Sequence, residues 1–201
     1  MQNNELADLL ERSRISQLLC GWGLWRDTCD WARLSDCYTA DAYMLTTWFD
    51  GAATDFVEAS KRMAAAGSNL QHYIGVSNIE INGDRALAVT RVELHVRAQL
   101  DATAVDATCY GRFHDRLLRQ EGQWRIQSRV PVYEKDAIRA VHPGQELDID
   151  PERLARFPAH YQYLAYLQSL GGATITPGLP APNSPEEHSL RQSDLAWLDA
   201  A

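Results

Sequence analysis

Four long runs of residues typical of β-strands, joined by short turns, constrain the fold of this chain more than any other feature. The predicted strands occupy residues 71–81, 85–99, 105–119 and 123–133. Asn82-Gly83 separates the first pair, and Glu121-Gly122 separates the last pair. An Asn-Gly pair between two such runs is a strong local signal for a β-hairpin. The sequence therefore predicts a meander of long antiparallel strands.

Helical patterns precede this meander. Apolar residues recur at helical spacing from Glu5 to about Asp27, and further helices are predicted at about 31–38 and 55–66. A strand is predicted at 42–49, where it ends at the turn signal Asp50-Gly51. Helices gathered at one end of an antiparallel sheet define an α+β fold. We therefore expect N-terminal helices packed on a strongly curved, mostly antiparallel sheet.

The last third of the chain has a different composition. Seven of the eight prolines follow residue 136, and one helix is predicted from Pro151 to about Leu170, ending before Gly171-Gly172. The remainder is predicted to be irregular. We therefore divide the chain into a domain at 1–135 and a C-terminal extension at 136–201, which packs on the domain or on a neighbouring subunit.

Composition and missing motifs exclude several function classes. The net charge is −8 without a basic run, which argues against nucleic-acid binding. The N-terminus does not have the pattern of a signal peptide, and no stretch is apolar enough to cross a membrane, so a cytoplasmic location is predicted. The four cysteines form no CxxC motif and are predicted to be free, buried thiols. Without a phosphate-binding loop, HExxH motif or close His/Cys set, no cofactor or metal is expected.

Three segments resemble the SnoaL-like (nuclear transport factor 2-like) superfamily. They are RDTCDWARLSDCYTADAYM (26–44), LQHYIGVSNIEINGDRALA (70–88) and GRFHDRLLRQEGQWRIQSR (111–129). The resemblance covers about residues 5–135 and implies a cone-shaped α+β barrel. It is nearest to the branch that contains scytalone dehydratase and hexachlorocyclohexane dehydrochlorinase. In that branch, an Asp late in the first helix orients a His on the sheet, and the matching residues are Asp27 and His72.

The residues themselves allow the same chemistry. Asp27 follows Cys20 and Leu24 on a helix face that is otherwise apolar, where an unpaired carboxylate is costly. His72 opens a strand whose alternation places Val76 on the same predicted inner face. A carboxylate that accepts from one imidazole nitrogen leaves the other nitrogen free as a general base. The alternative is that Asp27 caps or flanks the second helix, while His72 is a core residue.

Other site residues follow from the resemblance or from their place in the pattern. Trp22 stands where related lyases have a Lys or Tyr that assists the leaving group. Arg129 lies near an arginine of the dehydrochlorinase and is the third predicted catalytic residue, with a simple ion pair to Asp27, Asp115 or Glu134 as the alternative. The predicted substrate-binding residues are Trp22, Tyr43, Trp48, His95 and Tyr110.

The resulting functional hypothesis is a cofactor-independent lyase. It would carry out a dehydratase or dehydrohalogenase type of elimination on a hydrophobic cyclic or aromatic hydroxylated substrate, with His72 and Asp27 as the general-base dyad. An isomerase or polyketide cyclase that uses the same proton abstraction is one alternative. A non-catalytic binding or oligomeric subunit of the same fold is another. Because long apolar strands rarely leave a sheet face bare, a homotrimer or homodimer is expected.

Overall fold

The computed structural model describes residues 2–200, with side chains described from residue 5 onward. It contains six helices and six strands: α1 (Gln2–Asp27), α2 (Trp31–Asp36), β1 (Tyr38–Leu45), β2 (Asp50–Ala52), α3 (Ala53–Ala65), β3 (Asn69–Asn82), β4 (Arg85–Leu100), β5 (Thr103–Gln120), β6 (Gln123–Ala140), α4 (Pro151–Leu154), α5 (Gln162–Leu170) and α6 (Pro185–Asp199). The predicted α+β class is confirmed.

The six strands form one curved sheet in the order β2-β1-β6-β5-β4-β3. Neighbouring strands are antiparallel except β1 and β6, which are parallel. The sheet is not closed, because β2 and β3 are its two edges. We call the face that packs against α1 and α3 the inner face, and the opposite one the outer face. The predicted hairpin turn at Asn82-Gly83 is confirmed, with Asn82 paired to Arg85.

Helix α1 packs along β3 through its buried side chains Ile15, Leu19 and Trp22. The face that carries Cys20 and Leu24 is exposed, and Leu24 is 61% exposed. The prediction of an apolar surrounding on that face is therefore wrong, because α1 has packing partners on its other side only. None of the helices within residues 2–200 combines the length and the apolar character needed to cross a bilayer.

Several boundaries differ from the sequence prediction. Strand β6 continues to Ala140, past the predicted domain boundary at 135, because it pairs with β5 as far as Val105. The helix predicted at 151–170 is divided into α4 and α5, and Pro158 lies in the interruption, where it cannot donate a helical hydrogen bond. Helix α6 was not predicted. It has an ordinary start signal, in which the Ser184 hydroxyl accepts from the Glu187 amide.

The C-terminal extension covers parts of both sheet faces. Tyr161 and Leu164 pack against Tyr133 and Cys109 at one end of the inner face. Helix α6 lies across the outer face, where residues 187 and 194 form ion pairs with arginines of β5. All four cysteines are free, as predicted; Cys37 and Cys109 are buried, but Cys20 and Cys29 are exposed, contrary to the prediction.

Candidate active site

A cavity of about 790 Å³ lies between the inner face of the sheet and the helices. Its walls come from α1, α3, the inner-face side chains of β4 to β6, and the segment 168–173 of the extension. Most of the lining is apolar, with aromatic rings from Trp22, Trp48, Phe56 and Phe113. Its size and mostly apolar lining are within the range of small-molecule binding sites.

Asp27 and His72 meet at this cavity. The Asp27 Oδ1 atom lies 2.7 Å from His72 Nδ1, and Asp27 Oδ2 accepts from the His72 backbone amide at 2.6 Å. The two side chains are only 14% and 11% exposed. The Nε2 atom of His72 makes no hydrogen bond with any described residue, and His72 lines the cavity. One carboxylate thus fixes both the ring and the backbone of the histidine.

A close approach between α1 and β3 creates this contact. Asp27 is the last residue of α1, and Gly23 lies one turn before it. A Cβ atom on Gly23 would lie 2.7 Å from Ile74 Cγ1 and 3.5 Å from His72 Cβ. Glycine therefore lets the helix come close enough for Asp27 to reach His72. The alternative in which Asp27 caps α2 does not apply, because Asp30 fills that role by accepting from the Arg33 amide.

Burial lowers the pKa of His72 below its ordinary value of 6.5, although the hydrogen bond that His72 donates to Asp27 and the negative charge of Asp27 oppose this effect. The imidazole is therefore neutral at neutral pH. The edge of the ring also meets Trp22, with ring centroids 5.1 Å apart. A neutral imidazole with Nδ1 donating to a carboxylate and Nε2 free is suited to remove a proton.

Arg129 lies beside the dyad in the same cavity. Its guanidinium donates to both Asp115 oxygens, at 2.6 and 3.0 Å, and the two side chains are 1% and 0% exposed. The guanidinium is stacked 4.1 Å from the Trp22 ring and 4.3 Å from the Phe113 ring. Its Nη1 atom is buried without a hydrogen-bond partner among the described residues. Arg129 therefore both lines the cavity, as predicted, and forms the ion pair with Asp115 that was the alternative prediction.

Trp22 and Trp48 line the cavity, but the other predicted substrate-binding residues do not. Tyr43 is 36% exposed and donates to Asp50 at 2.7 Å. Strand alternation gives its neighbour Met44 the inner position instead. The prediction that Tyr43 lines the pocket is therefore wrong.

His95 and Tyr110 lie on the outer face of the sheet. The cavity is lined by Leu94 and Cys109, and the alternation of β4 and β5 directs the adjacent residues outward. His95 lies 3.3 Å from Glu93 with its side chain 43% exposed. Tyr110 packs beneath Lys135, whose Nζ is 5.1 Å from the ring centroid. Their predicted places in the pocket are therefore wrong.

One residue of β3 was also assigned to the wrong face of the sheet. The sequence alternation predicts Val76 on the inner face with His72, yet Val76 is 93% exposed. A β-bulge between Ile74 and Ser77 reverses the phase of the strand.

Some cavity residues were not predicted. Tyr133 is one of the lining residues, and burial raises the pKa of its phenol; Arg26 lines the wall beside the dyad. Arg26 is adjacent to Asp27, which is the only signal that the sequence gives for it. Tyr133 depends on the register of β6, which the sequence does not reveal. Among the residues that the structure describes, no three His, Cys, Asp or Glu side chains are grouped as metal ligands would be.

Comparison with known proteins gives the family. A model of the SnoaL-like domain matches residues 7–130. The chain is also similar to pea pathogenicity protein 2 of Fusarium vanettenii, with 32% identity over 162 residues that cover 79% of this chain and 70% of that protein.

Solved structures agree with the fold. A proposed scytalone dehydratase from Novosphingobium aromaticivorans has a TM-score of 0.56 at 14% identity, covering 74% of this chain and all of that one. A type 2 hexachlorocyclohexane dehydrochlorinase (LinA) has a TM-score of 0.53 at 14% identity, covering 73% of this chain and 98% of that one. The resemblance drawn from the three sequence segments is confirmed: the chain belongs to the SnoaL-like domain family.

Proposed function

We propose that this protein is a cofactor-independent lyase that eliminates water or a hydrogen halide from a hydrophobic cyclic or aromatic substrate. The observation that carries the proposal is the 2.7 Å contact between Asp27 and His72, with the second ring nitrogen of His72 free at an apolar cavity. An orienting carboxylate, a neutral imidazole and an adjacent space for a substrate are the requirements of general-base chemistry.

The reaction begins at His72 Nε2. This nitrogen takes a proton from a substrate carbon, the C–H electron pair becomes the new C=C bond, and the leaving group departs from the adjacent carbon with its bonding electrons. Asp27 stabilises the imidazolium that forms and keeps Nδ1 protonated throughout. Positioned general-base catalysis of this kind contributes roughly 10²–10⁴-fold to the rate.

The leaving group requires a second contact. Trp22 cannot donate to it, because its indole Nε1 already donates to the Tyr38 hydroxyl at 2.5 Å. Arg129 is the best candidate, since its Nη1 has no partner among the described residues and its side chain lines the cavity. A fixed guanidinium stabilises a departing hydroxide or halide in a cavity of low polarity. The ion pair with Asp115 would hold it in place.

The cavity walls support the choice of substrate class. Trp22, Trp48 and Phe56 present flat apolar surfaces, which favour a ring compound over a flexible chain. The two similar solved structures carry the names of enzymes that perform eliminations, which agrees with the proposal. A non-catalytic subunit of the same fold would need neither an oriented histidine nor a free space beside it.

The test separates elimination from the isomerase and cyclase alternatives. Hydroxylated aromatic and alicyclic compounds that quench tryptophan fluorescence on binding are incubated with the protein in D₂O and followed by mass spectrometry. Elimination shows as loss of the mass of water. Isomerisation or proton exchange shows as deuterium at carbon without that loss. Compounds that bind but acquire no deuterium and lose no water would show that the cavity binds without catalysis.

A further inference from the structure

The charge of the cavity is opposite to that of the whole chain. The charged residues that line it are Arg26, Arg62, Arg97 and Arg129, and the nearby carboxylates of Asp27 and Asp115 are bound to His72 and Arg129 instead of lining it. The chain as a whole has a net charge of −8. An acidic protein with an arginine-lined cavity favours an anion inside that cavity.

Two of these arginines are already neutralised. Arg129 forms the buried pair with Asp115, and Arg97 donates to both oxygens of Asp106 at 2.7 and 2.9 Å. Their charges are therefore matched without a ligand. Arg62 lies exposed near the end of α3, where water can solvate its guanidinium.

Arg26 forms no such ion pair with a described residue. Its residue is only 3% exposed, and its guanidinium lies 5.7 Å from the centre of the Trp31 ring. Its guanidinium takes part in none of the hydrogen bonds between described side chains, although the negative charge of Asp27 acts on it. The adjacent carboxylate of Asp27 accepts from the ring and the backbone amide of His72, and neither of its oxygens accepts from Arg26. Burial lowers the pKa of Arg26, although the negative charge of Asp27 opposes this effect.

A buried guanidinium offers five N–H donors in one plane. Leaving them without an acceptor costs stability, and a single aromatic ring replaces only part of the lost hydration. The fork geometry of the guanidinium matches a carboxylate, which accepts two parallel hydrogen bonds. Arg26 also lies close enough to His72 to influence its pKa, so an anion bound to Arg26 would lie beside the proposed base.

We propose that Arg26 is an anion-binding residue of the cavity and that the substrate carries a carboxylate. The carboxylate would lie on the guanidinium, and the ring of the substrate would lie between the aromatic walls within reach of His72. That the bound carboxylate compound is a substrate rests on the proposed lyase function, whereas anion binding by Arg26 does not depend on catalysis. With this site, the expected substrate is a ring compound with a carboxylate, whereas the aromatic walls alone indicate only a ring compound.

The test compares two probes of the same shape, 2-naphthoate and 2-naphthamide. Their affinities are measured by calorimetry at low and high salt, for the wild type, for Arg26→Met and for Arg91→Met. Arg91 is the matched control, because it lies on the outer face with its side chain 75% exposed. We expect the wild type and Arg91→Met to bind the naphthoate about tenfold tighter than the naphthamide at low salt. Arg26→Met should bind both probes equally.

The melting temperature gives a second, independent readout. Arg26→Met removes an unpaired buried charge and keeps an apolar side chain against Trp31, so its melting temperature should rise by a few degrees. Equal binding of both probes by the wild type would overturn the proposal, as would a naphthoate preference that persists in Arg26→Met. A variant that melts earlier and loses the naphthamide as well would show that Arg26 is structural.

The same titrations in a His72→Ala background separate the two proposals. Removal of the base leaves Arg26 in place, so the naphthoate preference should remain at about tenfold. A wild type that prefers the naphthoate but catalyses no elimination would retain the anion site and exclude the lyase. A lyase that binds both probes equally would retain the function and exclude the anion site.

Discussion

The two faces of the sheet each hold a largely buried histidine next to an aspartate, and only the inner one lines the cavity. On the inner face, His72 Nδ1 lies 2.7 Å from Asp27. On the outer face, beneath α6, His114 Nδ1 lies 3.6 Å from Asp194, beyond hydrogen-bond distance. The Asp194 carboxylate instead accepts from Arg116 at 2.8 Å. His114 Nε2 is buried without a partner among the described residues.

This difference shows that residue types alone do not make a site. The inner carboxylate gives both of its oxygens to one histidine, which fixes the ring. The outer carboxylate is bound by an arginine of β5, and it joins α6 to the sheet. The inner imidazole also borders a cavity, whereas the outer one is 4% exposed and lines no cavity described above. Orientation and free space, together, distinguish a candidate base from a packing residue.

Removing each histidine in turn is the most severe test of this comparison. We expect His72→Ala to lower kcat by about 10²–10⁴-fold with little change in folding, because only the inner histidine lines the cavity proposed to hold the substrate. His114→Ala should leave kcat near the wild-type value. Its effect should be confined to the unfolding free energy measured in urea.

The comparison would fail if the two variants lost activity equally, since a common loss would indicate a general loosening of the sheet. Circular dichroism of both variants serves as the control for folding. Binding of a substrate to His72→Ala without turnover would assign the loss to chemistry rather than to affinity.

The inner dyad was predictable, but much of its surroundings was not. The family resemblance names Asp27 and His72, and their side chains lie 2.7 Å apart, while their catalytic role remains a proposal. The prediction that the cavity is lined by Tyr43, His95 and Tyr110 was wrong. Strand alternation indicates which residues share a face of the sheet, but it does not indicate which face is the inner one. On β4, Leu94 and His95 point to opposite faces of the sheet, and only the position of the helices shows that Leu94 is on the inner face.

Arg129 illustrates a second limit. Counting back from the Gln120–Gln123 end of the hairpin would pair Arg129 with His114, on the outer face. A bulge between Arg116 and Leu117 shifts the register, so Arg129 pairs with Asp115 on the inner face. One extra residue thus decides whether this arginine enters the cavity. No local sequence signal marks that bulge.

Gly23→Ala should lengthen the Asp27–His72 contact, so that it resembles the longer Asp194–His114 contact on the outer face. The new methyl group would collide with Ile74, which is held within β3, so α1 must move away from the strand. Overpacking of this kind costs about 1–3 kcal/mol of unfolding free energy. The Asp27–His72 hydrogen bond should lengthen, and kcat should fall with it.

Gly21→Ala is the matched control for that change. It lies on the same helix, and its new Cβ would meet only the outer atoms of the Trp25 ring, which can rotate away. Replacing glycine within a helix gains up to about 1 kcal/mol. If Gly21→Ala and Gly23→Ala had the same stability and the same kcat, the close approach of α1 to β3 would not position the dyad.

The smallest expected effect is on the pH dependence of kcat, which tests whether Asp27 acts on the His72 imidazole. Burial holds the pKa of His72 below 6.5, with Asp27 opposing that shift, so the base stays neutral as the pH falls past 6.5. The acid limb of the kcat profile should therefore lie below pH 6.5. Unfolding free energy should decrease in the same window, because the unfolded histidine takes up its proton first. Asp27→Asn removes the opposing charge, so the His72 pKa, followed by NMR, should fall further. A rise in that pKa would mean that Asp27 does not act on the imidazole as the contact distance implies.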